Sequence, residues 1–100
     1  MRKAERAVAA VRFEDLPNVG KRIAGDFKKL GLSGPQQLKG KDPFKLYERL
    51  CRITRLRQDP CLLDTFIAAV YFMDRGIARP WWSFTAERKK KYPADPERQV

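Results

Sequence analysis

Two copies of one device, Asp42-Pro43 and Asp59-Pro60, do most to limit what this chain can fold into. An Asp side chain accepts a hydrogen bond from the first turn of a helix, and Pro suits the first helical position because its missing N–H needs no partner there. Each pair therefore predicts a helix start. Glycines predict the stops: Gly31 follows Leu30 directly, and Gly76 ends the third long segment. Between these marks the apolar residues keep helical spacing. Ile23, Phe27 and Leu30 fall on one face, Leu46, Leu50 and Ile53 on another with Tyr47 and Cys51 beside them, and Leu62, Phe66, Ala69, Val70 and Met73 form a third stripe. Gly34-Pro35 opens a short helical turn around Gln36 to Leu38. With no alternating strand pattern, the chain is predicted to be an all-α, compact domain of four to five helices. Residues 2–12 are rich in helix formers, with Val8 and Val11 as a weak apolar stripe, so 1–12 is expected to be an N-terminal helix or arm. Trp81, Trp82 and Phe84 close the ordered domain at 13–84. Charge and Pro dominate 85–100, which is expected to be a basic, disordered tail.

Charge and residue absences narrow the function. Lys and Arg number 22 against 12 Asp and Glu, a net +10 on 100 residues, and the pI of about 10.1 exceeds the value of about 9 that marks many nucleic-acid-binding domains. Such an imbalance points to a polyanionic partner. There is no His, which removes His-dependent catalysis, Cys-His pairs and Cys₂His₂ zinc fingers together. Two cysteines, Cys51 and Cys61, are too few for a disulfide framework or a closed thiolate zinc site. No catalytic constellation and no metal ligand set is therefore expected. The longest apolar run, 66–73, is far short of the roughly 18 residues needed to cross a bilayer, so no membrane association is expected. Charges at Arg2, Lys3, Glu5, Arg6 and Arg12 interrupt any signal-peptide core, so a cytoplasmic location is expected.

The stretch LPNVGKRIAGDFKKLGL, residues 16–32, joins a sharp turn to a basic helix. A tight turn needs a residue that tolerates positive φ, and Asn18 or Gly20 serves. Gly20 also leaves its backbone open to close approach. The helix starting near Lys21 has first-turn N–H groups without intrahelical partners, and together with the helix dipole these favour an anion. At about 100° per residue, Lys21 and Lys28 lie within about 20° of each other, as do Arg22 and Lys29. The opposite side carries Ile23, Phe27 and Leu30. One face packs and the other offers four positive charges, an arrangement suited to backbone phosphate rather than base edges.

At LPNVGKRIA the residues resemble a helix-hairpin-helix motif, with Leu16, Val19, Gly20 and Ala24 on the pattern and Asn18 where its first Gly usually stands. More broadly, DLPNVGKRIAGDFKKLGL, DPFKLYERLC, RQDPCLLDTFIAAVYF and WW, in this order, resemble the bacterial pathogenicity-locus family of small helix-hairpin-helix proteins, also labelled mitomycin-resistance-like. The likeness covers roughly 13–84. It implies a non-catalytic DNA-binding helical domain whose hairpin contacts phosphate through Asn18, Val19, Gly20, Lys21 and Arg22, with Lys28 and Lys29 on the same basic face. It also implies a monovalent cation held by hairpin carbonyls as the one candidate cofactor. A second helical hairpin is expected through the break at 57–60.

Other residues allow two readings. Arg52, Arg55 and Arg57 form either a second phosphate contact or a solvated loop. Trp81, Trp82 and Phe84 either stack on unpaired bases or fold back to seal the core. Cys61, near a helix N-terminus that lowers thiol pKa, is read as packing rather than reactive, since no His stands by as base. Asp59 is read as an N-cap, and Asp64 as a first-turn carboxylate or the partner of an Arg. The alternative to DNA binding is a protein-interaction adaptor on the same scaffold, with a protein partner and an oligomeric state that the residues leave open.

Overall fold

The computed structural model describes residues 6–91, and these fold as helices and connecting turns without a strand among them. There are four α-helices, α1 Lys21–Lys29, α2 Pro43–Thr54, α3 Pro60–Arg75 and α4 Thr85–Lys91; two 3₁₀ turns, Ala7–Ala9 and Phe13–Asp15, precede α1, a third at Pro35–Leu38 precedes α2, and a fourth at Trp81–Phe84 precedes α4.

Both Asp-Pro devices work as expected. The Asp42 carboxylate accepts from Phe44 N–H at 2.9 Å, and that of Asp59 from Cys61 N–H at 2.8 Å. Gly31 and Gly76 take positive φ, 84° and 72°, where L side chains are strained. The α2–α3 connection is short because Arg55 turns left-handed at φ 54° and Leu56 N–H reaches back to Cys51 C=O at 3.2 Å. It is held from inside as well: Tyr47 donates its hydroxyl to the Gln58 carbonyl, and Gln58 Nε2 donates to Thr54 Oγ1 at 3.0 Å.

α3 is the axis of the molecule. Leu63, Phe66, Ala69 and Phe72 are fully buried, and α1, α2, α4 and the 3₁₀ turns gather around it. Phe27 of α1 lies between two rings, with centroids 5.0 Å from Phe13 and 4.8 Å from Phe66, so α1 is anchored by the face that the spacing predicts. Ile53 is the exception on α2: it is 47% exposed and stands outside the core.

The helix or arm expected at 1–12 is described from residue 6 onward, and the tail expected at 85–100 as far as residue 91. The described part of the N-terminal segment is a single 3₁₀ turn, Ala7–Ala9, rather than a longer helix, and Val8 and Val11 face solvent while Ala10 is buried. Competing acceptors and donors explain it. The Asp15 carboxylate takes the N–H groups of Val11 and Arg12, both at 2.9 Å, and Gln36 Nε2 donates to the carbonyl of Ala7 at 3.2 Å. Helix propensity worth a few tenths of a kcal/mol per residue yields to such bonds. At the other end, 85–91 is helical and not tail-like. Arg88 is 3% exposed and places Nε 2.6 Å from Asp64 Oδ1, while Thr85 Oγ1 donates to Asp64 Oδ2 at 2.7 Å. The rest of the expected tail, 92–100, lies outside the described residues, as does 1–5.

Candidate nucleic-acid interface

The hairpin begins with the 3₁₀ turn Phe13–Asp15, so the element before it is one turn, not an α-helix. Leu16 and Val19 are fully buried and hold the turn to the core. Asn18 takes the positive φ, 70°, whereas Gly20 has φ −101° and ψ −168°, an extended conformation open to any residue. A Cβ built on Gly20 would meet nothing within 4 Å. Neither backbone geometry nor internal packing thus requires a glycine there.

α1 lacks the cap that α2 and α3 possess. Its N-cap is Gly20, with no side chain to accept from the first turn. The N–H groups of Lys21, Arg22 and Ile23 therefore open the helix without an intrahelical acceptor. Lys21 and Arg22 are exposed beside them. Lys28 and Lys29 are exposed at the far end, with Lys29 Nζ 4.0 Å from Asp26. Asp26 itself is 6% exposed and its Oδ2 has no hydrogen-bond partner. Burial raises its pKa above the usual carboxylate value, against the pull of Lys29 and Arg22.

Two predicted contacts change meaning. Val19 has no exposed surface and its N–H already donates to Leu16 C=O at 3.2 Å, so it anchors the turn and cannot offer that N–H to an outside group. Asn18 is half-buried and sends Nδ2 to the Arg79 carbonyl at 2.8 Å, a bond across 61 residues. Its side chain is a latch from the turn to Arg79. Arg79 is in turn fixed by Ser83 Oγ at 3.2 Å, by Glu87 at 3.3 Å, and by stacking 4.0 Å above the Phe84 ring. The latch therefore ties the hairpin to the segment that leads into Trp81.

A cleft of about 300 Å³ lies at this junction. Gly20, Arg22 and Ile23 form its α1 side, Asp59, Cys61, Leu62 and Thr65 its α3 side, and Trp81 a further wall. No spacing in the sequence signals that Trp81 meets the hairpin; its turn lies on α3 beside Leu62 and Thr65, and the Asn18–Arg79 bond ties it to the hairpin as well. The aromatic trio divides: Phe84 is buried and seals the core, Trp81 is half-buried at the cleft, and Trp82 is 63% exposed. Cys61 is exposed, contrary to the packing role expected of it. Desolvation first, then the Asp59 carboxylate, push its thiol pKa up, the reverse of an activated thiolate. Asp59 is held below its usual value chiefly by the Cys61 N–H.

Arg52, Arg55 and Arg57 are exposed at the end of α2. Arg52 and Arg57 line a separate cleft of about 180 Å³ with Phe44, Tyr47, Glu48 and Cys51. The structure does not bring them into the hairpin cleft. Asp59 and Asp64 do not act as a pair either, since the first caps α3 and the second binds Arg88 and Thr85. Among the described residues, no helix is long and apolar enough to cross a membrane.

The profile of the Cdd1 family, described as pathogenicity locus, matches residues 6–90. A mitomycin resistance protein of Streptomyces lavendulae, McrB, is 45% identical over 75 residues, which cover 75% of this chain and 71% of that protein. No solved structure matches.

Proposed function

Since this chain belongs to the pathogenicity-locus family Cdd1, we propose that it is a non-catalytic, cytoplasmic DNA-binding domain that grips backbone phosphate at the start of α1, largely independently of sequence. The observation that carries this reading is the uncapped α1 N-terminus, bare at Gly20 and flanked by the exposed Lys21 and Arg22. α2 and α3 satisfy their first turns with Asp42 and Asp59, whereas α1 leaves its first turn to solvent or to an incoming anion. A glycine with no internal reason for being one supports close approach from outside. Lys28 and Lys29 extend the positive face, and the +10 net charge supplies long-range attraction. The hairpin carbonyls of Leu16 and Gly20 already accept the N–H groups of Val19 and Ala24. Each keeps a second lone pair that a monovalent cation could use, and the phosphate contact is derived without one.

Anisotropy titrations of a labelled duplex over a salt series test the reading. Log K should fall linearly with log salt, and Lys21→Ala and Arg22→Ala should each reduce the slope by about 1. A flat dependence, or slopes unchanged in both variants, refutes it. The adaptor reading is favoured by the exposed apolar side chains Val8, Val11 and Leu56. It predicts a protein partner whose binding is lost in Val8→Ser/Val11→Ser and is insensitive to Lys21 and Arg22.

A further inference from the structure

We propose that the cleft between the hairpin and Trp81 receives a single unpaired nucleotide, so that the preferred substrate is a duplex interrupted by an extrahelical base. This rests on the phosphate-gripping reading of the hairpin and names its substrate class.

Three observations carry it. The cleft shares Gly20 and Arg22 with the proposed phosphate grip, so whatever enters it is continuous with what the grip holds. Its lining includes the apolar side chains of Ile23 and Leu62 and the half-buried indole of Trp81. A cleft with an aromatic side at Trp81 and a cation at Arg22 complements a nucleobase attached to a phosphate, because every base offers a π-face to an aromatic ring. At about 300 Å³ it stands at the small end of ligand cavities, roughly 300–1,000 Å³. That is room for one nucleoside.

A paired base inside a duplex has both faces stacked on its neighbours, so Trp81 can reach only a base that has left the stack. The slot is also preformed. The Asn18 amide holds the Arg79 carbonyl at 2.8 Å, and Arg79 binds Ser83 Oγ, two residues past Trp81 in the chain. The indole therefore stands at a fixed distance from the hairpin before any ligand arrives, and less ordering is needed when one binds. The polar walls set limits on the ligand. Thr65 Oγ1 is occupied by the Cys61 carbonyl at 3.1 Å, and the Asp59 carboxylate, kept ionised by the Cys61 N–H, repels phosphate from the α3 side. The phosphate end of the nucleotide is thereby directed toward Gly20 and Arg22.

Trp81 and Trp82 are the only tryptophans in the chain, so the Trp82→Phe variant makes Trp81 the sole indole reporter. The full chain in this background is titrated with two duplexes of equal length, one fully paired and one with a single central thymidine bulge. The bulged duplex should quench Trp81 fluorescence and bind more tightly, by about 5- to 150-fold if one base stacks. Trp81→Ala should erase that preference, read as the ratio of the two affinities from anisotropy of the labelled duplexes. Trp81→Phe should restore part of it, and far-UV circular dichroism checks that both variants fold. Equal affinity for the two duplexes with unquenched Trp81 overturns this inference and leaves the phosphate grip standing. Absence of binding to either duplex overturns both.

Discussion

Replacing Asn18 separates two roles that one residue performs. It holds positive φ at 70° and it donates Nδ2 to the Arg79 carbonyl at 2.8 Å. Asn18→Gly keeps the first role and removes the second. A net intramolecular hydrogen bond is worth about 0.5–1.5 kcal/mol, and the bond is half-buried, so a loss of about 1 kcal/mol is expected for Gly. Asn18→Ala removes both. The left-handed conformation costs an ordinary L-residue about 1–2 kcal/mol, which brings the expected loss for Ala to about 2–3 kcal/mol. Equilibrium urea unfolding followed by circular dichroism reads these values directly, and in thermal scans each kcal/mol corresponds to about 4–8 °C for a domain of this size. The order wild type, Gly, Ala is the content of the prediction. If Ala costs no more than Gly, Asn18 does not occupy positive φ in solution. If Gly costs nothing, the latch to Arg79 contributes nothing, and the preformed slot at Trp81 loses its support.

Two further perturbations test the interior. Asp64→Ala should cost about 3–5 kcal/mol in urea unfolding, because it strands the buried Arg88 guanidinium, whereas the double variant Asp64→Leu/Arg88→Met should recover most of that loss; a double variant as unstable as the single one refutes the account. For Asp26, burial raises the folded-state pKa above the unfolded one, so the ionised carboxylate opposes folding at neutral pH, and that penalty is relieved as pH falls through the raised value toward the usual carboxylate range. Asp26→Asn should therefore raise Tm at pH 7, with a gain that shrinks on acidification, and a gain independent of pH would show that charge is not the cause.

The fold was legible wherever a local rule decides it. Asp42-Pro43 and Asp59-Pro60 start helices through contacts two residues away, and Gly31, Gly76 and Asn18 mark backbone that other residues avoid. The apolar stripe of α1 could be read because its period matches the face that meets Phe13 and Phe66. The ends were not legible, because distant groups settle them. Residues 6–12 lose to Asp15 and Gln36 whatever helical tendency they have. The helix at 85–91 depends on a carboxylate 24 positions earlier, so its run of Lys and Arg reads as tail from composition alone. At the candidate site, the bare turn and its flanking charge were visible as Gly20, Lys21 and Arg22. The burial of Val19 follows from its place on the apolar side of the turn. The cleft itself was hidden, since Trp81 stands by the hairpin through packing on α3 and through the Asn18 bond to a carbonyl at position 79, neither of which a local pattern shows.

The Arg88–Asp64 contact also sets a schedule for biosynthesis. Asp64 sits near the start of α3 with no exposed surface, and both of its oxygens are satisfied from α4. While the chain is made from its N-terminus, α1, α2 and α3 emerge before Thr85 and Arg88 exist. A nascent chain that closed its core at that stage would enclose a charged carboxylate with no counterion. The residues of the main apolar cluster all lie at or before Met73, so a product that ends before Thr85 can gather them but leaves the Asp64 carboxylate without either of its partners, and this last step of folding waits for α4.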